Sequence, residues 1–86
     1  MLVGSFYVGT ALFFAAAKDH ANAAEVLLDS GANTEWKCSY RDSTALMVAA
    51  EVNATDVIQL LIDHGAHIEA VDNSNRTALF FASTKN

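Results

Sequence analysis

The sequence predicts an all-α, mainly helical repeat solenoid, in which helix-turn-helix units stack side by side and are joined by hairpin loops. The first observation is the string Thr-Ala-Leu-Phe-Phe-Ala, which begins at Thr10 and recurs letter for letter at Thr77, with a related copy at Thr44. The second is the block 24–32, which returns in related form 34 residues later as 58–66. Because the Thr positions are 34 and 33 residues apart and both blocks keep the same distance from them, the chain is a repeat array.

The array divides the 86 residues into a single domain of two near-complete units, at about 10–42 and 43–76, and a partial third unit at 77–86. Terminal repeats of an isolated array normally carry a polar outer face. Here both ends are apolar, since the chain opens on Met-Leu-Val and its last unit holds Phe80 and Phe81 without a second helix. We therefore expect a fragment of a longer array, with self-association through the apolar ends as another way to cover them.

The first helix of each unit follows its Thr, and we expect helices over 11–17, 45–52 and 78–83. A Thr hydroxyl can cap a helix N-terminus, and the alanine-rich string behind it contains good helix formers. The small alanines on one side of these helices let a second helix approach closely. The residues expected in the core between helices are Leu12, Ala16, Leu27, Leu28, Leu46, Ala49, Leu60, Leu61 and Leu79.

The second helix of each complete unit is expected where apolar residues recur at helical spacing. A short turn precedes it, built on Asp19 in one unit and Asn53 in the next, since Asp and Asn tolerate the left-handed backbone conformation. Thr55 is placed to cap the later of these helices. The two helices are expected over 22–30 and 56–64, each ended by a left-handed cap, at Gly31 and Gly65.

The polar connection from each Gly to the next Thr is too long for a simple helix-to-helix turn, so we expect an extended, finger-like hairpin. The first connection has one residue more than the second. The finger that carries Trp36, Cys38 and Tyr40 should therefore bulge.

The repeat resembles the ankyrin repeat over nearly the whole chain. The family's motif is Thr-Pro-Leu-His-x-Ala-Ala, followed by a helix end of the form Leu-Leu-x-x-Gly-Ala; this chain carries Thr-x-Leu-x-x-Ala-Ala and Gly-Ala, with Asp72 before the last Thr. Ala replaces the family's Pro in all three copies, and Phe13, Met47 and Phe80 replace its His. The resemblance thus implies that apolar contacts substitute for the usual Thr–His contact. Asn75, where the family favours a hairpin Gly, can also adopt positive φ.

Resemblance to ankyrin arrays implies a protein-protein interaction module. Such a module binds a partner protein, of unknown identity, through the hairpin tips and the concave face of the first helices, with no chemistry of its own. The alternative is a structural segment of a longer array, acting as a spacer or a targeting arm for another domain. Tyr40 and Arg41 are of the types enriched in interface hot spots. The residues that match the family's contact positions are Tyr7, Lys18, Lys37, Tyr40, Arg41, Ser43, Glu51, Val52, Val71, Asn73, Ser74 and Arg76.

Composition and charge argue against other classes of partner. Ten acidic against five basic residues, a formal net charge of −5, disfavour binding to nucleic acid or to anionic membranes. No Lys or Arg precedes the apolar opening, and Lys18 and Asp19 end it, so we expect neither a secretory signal nor a membrane span. The single Cys38 cannot form an internal disulfide, and we expect an intracellular, cytoplasmic protein.

We also expect neither an enzyme nor a metal or cofactor site. Only Cys38 and three histidines could supply the nitrogen or sulfur ligands of a structural zinc site, and Gly65 separates His64 from His67 at a helix end. The sequence has no glycine-rich phosphate loop and no nucleophilic serine elbow, and its carboxylates occupy exposed positions of the repeat.

Overall fold

A computed structural model describes the backbone of residues 2–84 and the side chains of residues 9–84. Its helices, in chain order, are α1 (Leu2–Ala17), α2 (Ala21–Asp29), α3 (Ala45–Glu51), α4 (Thr55–Asp63) and α5 (Ala78–Thr84). α1 packs on α2 and α3 packs on α4. α1, α3 and α5 form a first row, and α2 and α4 form a second row behind it. This stacking of helix pairs confirms the predicted all-α repeat fold.

Helix α1 is the one whose start was predicted wrongly. The other four helices begin and end within one residue of the expected ranges, but α1 begins at Leu2 rather than at residue 11. Thr44, which is equivalent to Thr10 in the next unit, has an extended backbone with φ −95° and ψ 167°. The hairpin before it holds it so, because the carbonyl of Ser43 accepts a hydrogen bond of 2.8 Å from the N–H of Cys38. The residues before Thr10 are instead helical, so Thr10 lies inside α1 and does not cap it.

The predicted cap chemistry is present only in part. Thr44 Oγ1 accepts a hydrogen bond of 3.3 Å from the N–H of Met47, as expected of an N-cap residue. Thr55 is not a cap, because it is already helical and Ala54 occupies the N-cap position of α4. The predicted left-handed residues are confirmed, with φ between +58° and +91° at Asp19, Gly31, Asn53, Gly65 and Asn75.

The core lies between the helices of the two rows. Leu79 was expected in it but is 69% exposed, whereas Leu46, 33 residues earlier at the same position of the repeat, is 4% exposed. The prediction failed because α4 covers α3, while no helix among the described residues covers α5 in the same way. The other expected core residues are buried (Leu12, Ala16, Leu28, Leu46, Ala49 and Leu61) or half-buried (Leu27 and Leu60).

Helix α5 buries one of its two adjacent phenylalanines. Phe81 is 5% exposed and Phe80 is 44% exposed, and their rings meet edge to face with centroids 5.4 Å apart. The guanidinium of Arg76 lies 5.2 Å from the centroid of the Phe81 ring. The expectation that the last unit leaves both rings uncovered was therefore wrong for Phe81, because α5 packs on α3.

The two long connections fold as hairpins: finger 1 (33–43) and finger 2 (67–76). Cys38 N–H donates to Ser43 O at 2.8 Å in finger 1, and Asp72 N–H donates to Arg76 O at 3.0 Å in finger 2. Four residues lie between the first pair and three between the second. The additional residue of finger 1 is therefore accommodated in its turn.

Asp72 holds finger 2 together from inside. Its buried carboxylate accepts hydrogen bonds of 2.9 Å from the backbone N–H groups of Ser74 and Arg76 and from Arg76 Nε. Burial raises the pKa of Asp72, but these hydrogen bonds and the adjacent guanidinium outweigh burial and leave the pKa below its ordinary value.

We expect the Asp72→Asn variant to lose acid sensitivity that this carboxylate confers. Because folding lowers the pKa of Asp72, its contribution to stability is present above the unfolded-state pKa, about 3.9, and is lost as the pH falls through the folded-state pKa. Urea unfolding at a pH of about 5 and about 2.5 should show a larger drop in midpoint for the wild type than for the variant. The two proteins differ only at this position, so equal drops would contradict this role.

Candidate functional site

The fingers and the first-row helices form one side of the molecule, because finger 1 runs directly into α3 and finger 2 into α5. We call this side, made of both fingers and the adjoining parts of α1 and α3, the finger face. Most of the predicted contact residues lie on it. The arrangement follows from the repeat, since each hairpin must return the chain from the second row to the first.

Arg41 joins the finger tips to helix α3. Its guanidinium lies 4.7 Å from the centroid of the Tyr40 ring, and its NH2 nitrogen lies 3.8 Å from Glu51 Oε1. Its backbone carbonyl accepts a hydrogen bond of 3.0 Å from the N–H of Asn73 in finger 2. The structure thus brings four of the predicted contact residues together. Tyr40 is 67% exposed, so its ring is open to a partner.

A second link joins the two fingers through Lys37 and Val71. Lys37 Nζ donates a hydrogen bond of 2.7 Å to Val71 O. In finger 2, Ser74 is exposed, whereas the guanidinium of Arg76 is held by Asp72 at 2.9 Å. Arg76 therefore serves the structure of finger 2, and the fingers are tied to each other at two points.

Three predicted contact residues lie at helix ends or are covered. Lys18 follows α1 and Val52 is the C-cap of α3, so both lie at the C-terminal ends of first-row helices. Ser43 is only 8% exposed, and little of it is open to a partner. The side chain of Tyr7 lies outside the described side chains.

A groove that sequence reasoning missed lies between α1 and finger 1; we call it the aromatic groove. Its volume is about 540 Å³. The ring of Phe13 meets that of Phe14 at 6.3 Å and that of Trp36 at 6.2 Å, both edge to face. The contact with Trp36 is an apolar substitute of the kind expected where Phe13 replaces the family's His. The groove is lined by Thr10, Phe13, Phe14, Trp36, Lys37, Cys38, Ser39 and Tyr40.

In the part of the chain that the structure describes, no three His, Cys, Asp or Glu side chains come together as a metal site would need. Two of the three histidines instead pair with single carboxylates of the preceding unit. His64 Nε2 lies 3.3 Å from Asp29 Oδ1, and His67 Nδ1 lies 3.6 Å from Glu35 Oε1. These pairs link the second repeat to the first.

His64 is placed to be protonated. Its Nδ1 faces Leu60 O at 3.0 Å and its Nε2 faces Asp29 Oδ1 at 3.3 Å, and both partners are acceptors, so only the doubly protonated ring can donate to both. The hydrogen bond to Leu60 is the main cause that raises the pKa of His64; burial opposes it, and Asp29 and Asp63 add to it.

We therefore expect stability to fall as the pH rises from about 6 to about 8. A raised folded-state pKa gives stability that is fully present below the unfolded-state pKa, about 6.5, and is lost as the pH rises through the folded-state pKa. Urea midpoints at the two pH values should differ more for the wild type than for His64→Gln. A His67→Gln control should keep most of the difference, and a His64→Gln variant with an unchanged pH profile would refute the assignment.

The geometry described so far defines a class: a helical repeat protein whose paired helices are joined by projecting hairpins. Comparison with known proteins gives the family, because the model for ankyrin repeats in three copies matches residues 12–86. The chain therefore belongs to the ankyrin repeat family. Ankyrin repeats are protein-protein interaction modules, and the fold is typically non-catalytic.

Curated relatives show the same repeats in longer proteins of different kinds. The chain is 38% identical over 73 residues to a probable E3 ubiquitin-protein ligase of Oryza sativa subsp. japonica, which covers 84% of the chain and 14% of the relative. It is 37% identical over 71 residues to mouse ankyrin repeat and SOCS box protein 6, covering 83% of the chain and 17% of the relative. It is 36% identical over 77 residues to a transient receptor potential cation channel subfamily A member 1 homolog of Caenorhabditis elegans, covering 86% of the chain and 6% of the relative. The chain thus spans less than a fifth of the length of these relatives.

Among the helices that the structure describes, none combines the length and the apolar character needed to cross a membrane.

Proposed function

We propose that this chain binds a partner protein through its finger face and carries out no chemistry of its own. The observation that supports this most is the cluster of Tyr40, Arg41, Glu51 and Asn73, in which an exposed aromatic ring lies against the guanidinium of an arginine that contacts finger 2 and α3. Tyr and Arg are enriched in interface hot spots, and a ring held in place in advance loses less freedom on binding.

The remaining predicted contacts extend the proposed surface along both fingers and to the C-terminal ends of α1 and α3. Lys37, Val71 and Ser74 would flank the central cluster, Val52 would adjoin it next to Glu51, and Lys18 would meet only a partner that reaches the end of α1. The net charge of −5 disfavours nucleic acid and anionic membranes as partners. A cytoplasmic, intracellular setting suits a free Cys38, which needs no oxidant to fold.

Site-directed photo-crosslinking tests the location of the proposed surface. With p-benzoyl-phenylalanine in place of Tyr40, the protein should capture a partner from a lysate of the source organism, and unlabelled wild type should compete. The same crosslinker in place of Gln59, on the exposed side of α4, should capture none. Capture from position 59 and not from position 40 would mean that the second row is the binding surface.

The captured partner then allows a quantitative prediction. Tyr40→Ala and Arg41→Ala should each weaken binding by more than about 1 kcal/mol if these residues are hot spots. Gln59→Ala is the control, because its amide donates only to Asp63 on its own helix, at 2.9 Å. Isothermal titration calorimetry gives the three affinities, and the reverse ranking would contradict the proposal.

A second candidate function, as a segment of a longer array, is favoured by one further observation. An apolar groove of about 160 Å³ runs beside α5. Relative to α5, it takes the position that α4 takes relative to α3. Its exposed members include Ile62, Ile68 and Leu79, at 39%, 52% and 69%. In this role the chain would serve as a spacer or a targeting arm, and a further helix would cover the groove.

If the groove beside α5 is left uncovered, we expect the isolated chain to self-associate through it. Light scattering over a dilution series should show a mass that rises with concentration, and Leu79→Gln should reduce the effect because it places a polar group on the exposed patch. Hydrogen exchange of the α5 amides should slow as association increases. A monomer at every concentration with strongly protected α5 amides would show that the chain covers this end unaided.

A further inference from the structure

The walls of the aromatic groove are fixed by their own contacts. The edge-to-face contact of Phe13 with Trp36 joins α1 to finger 1, and Phe13 also meets Phe14 edge to face within α1, so the floor of the groove is set by the fold. Finger 1 is in turn tied to finger 2 through Lys37. A groove with such walls needs little rearrangement to receive a side chain.

Two rings at the rim of the groove are largely open to solvent. Phe14 is 58% exposed and Tyr40 is 67% exposed, although both line the same groove. Rings whose role was to fill the core would be covered, as the Phe81 ring is at 5%. Adjacent exposed rings around a concave site are typical of an interaction surface.

The charge of the groove differs from that of the rest of the chain. Among the residues whose side chains the structure describes, its lining contains one cation, Lys37, and no carboxylate, although the chain has ten acidic and five basic residues. The Lys37 ammonium donates one hydrogen bond to Val71 O at 2.7 Å, and an ammonium has three N–H donors. Lys37 can therefore accept a carboxylate from a partner while it keeps the fingers tied.

We propose that the aromatic groove receives a large apolar side chain, aromatic or aliphatic, of a partner protein segment that carries an Asp or Glu next to it. The apolar side chain fills the space between Phe14 and Trp36, and the carboxylate pairs with Lys37. The proposal rests on the proposed function and names the partner chemistry of its surface. A foreign partner fits better than a second copy, because each copy carries a net charge of −5.

Matched peptides test this chemistry directly. The probes are acetylated Gly-Ser-Trp-Glu-Glu-Ser-Gly, a Lys-Lys version and a version with Ala in place of Trp. In two-dimensional amide NMR of the intact chain, the Trp-Glu-Glu peptide should shift the Trp36 indole N–H and the Lys37 and Ser39 amides. It should bind at least about tenfold more tightly than either control peptide. Equal binding of the Glu and Lys versions, or shifts centred on α5, would overturn the proposal.

Variants of the groove separate its role from a loss of folding. Phe14→Ser changes an exposed ring and Lys37→Gln removes the charge, so each should lower peptide affinity about tenfold while the melting temperature changes little. Lys37→Arg should restore binding, because it keeps a cation at the rim. Absence of binding by all three peptides at about 5 mM, where even a ~1 mM complex is largely formed, would refute the proposal.

The two proposals can fail separately. If the partner crosslinks from position 40 but binds Phe14→Ser and Lys37→Gln as tightly as wild type, the finger face is the binding surface and the aromatic groove is not part of it. If capture occurs from position 59 instead, the proposed function itself is wrong. A wild-type dimer that the Phe14→Ser variant cannot form would show a second copy in the groove and also overturn the proposal.

Discussion

The Leu46→Ala variant is expected to unfold in much of its population, whereas Leu79→Ala, the same change at the same position of the repeat, should leave stability nearly unchanged. Leu46 is 4% exposed and Leu79 is 69% exposed. Removing a buried leucine side chain costs about 2–5 kcal/mol, a large share of the ~5 kcal/mol that a small array is expected to have. Surface substitutions usually stay within about 0.5 kcal/mol. Urea unfolding followed by circular dichroism gives both values.

Leu79→Ala is the control for Leu46→Ala, because both variants lose the same leucine side chain at equivalent positions of the repeat. Both variants should be measured at low concentration, so that association through the α5 end does not add to stability. If the two unfolding curves coincide with each other, the assignment of Leu46 to the core and of Leu79 to the surface is wrong. If only Leu79→Ala is destabilised, Leu79 is the buried residue of the pair and the assignment is reversed.

Gly9→Val is expected to have the second large effect. A Cβ atom at Gly9 would lie 2.6 Å from Cγ of Trp36, closer than any real contact allows. Gly9 lies inside α1 and is buried, and valine is a better helix former than glycine, so any loss must come from the collision. Overpacking of this kind costs about 1–3 kcal/mol, and it would push finger 1 away from α1.

A double-mutant cycle identifies the cause. In a Trp36→Ala background, Gly9→Val should cost much less than it does in the wild type, because the colliding ring is gone. Melting temperatures of the four proteins complete the cycle. Additive losses would show that the valine acts elsewhere on α1, and the close approach of Gly9 to Trp36 would lose its support.

The sequence by itself determined the repeat and most of its local structure. The 34- and 33-residue steps placed four of the five described helices to within one residue, and glycine, aspartate and asparagine marked five positions of positive φ, although those at Arg41 and Asp42 were not predicted. These features depend on neighbours a few residues away along the chain, so the local sequence of each repeat is sufficient to predict them. The position of Tyr40 and Arg41 at the tip of a hairpin could also be predicted, because the hairpin tip is a local feature of the repeat.

Only the tertiary structure decided what each copy of the motif contacts. Thr10 and Thr44 begin the same string, yet a finger precedes Thr44 and holds it extended, while Thr10 continues a helix. Leu46 and Leu79 occupy the same position of the repeat, but Leu46 is buried and Leu79 is exposed. The aromatic groove exists because α1 approaches finger 1 at Gly9. Burial is a property of the atoms that surround a side chain in space, and identical motifs at different places in an array have different surroundings.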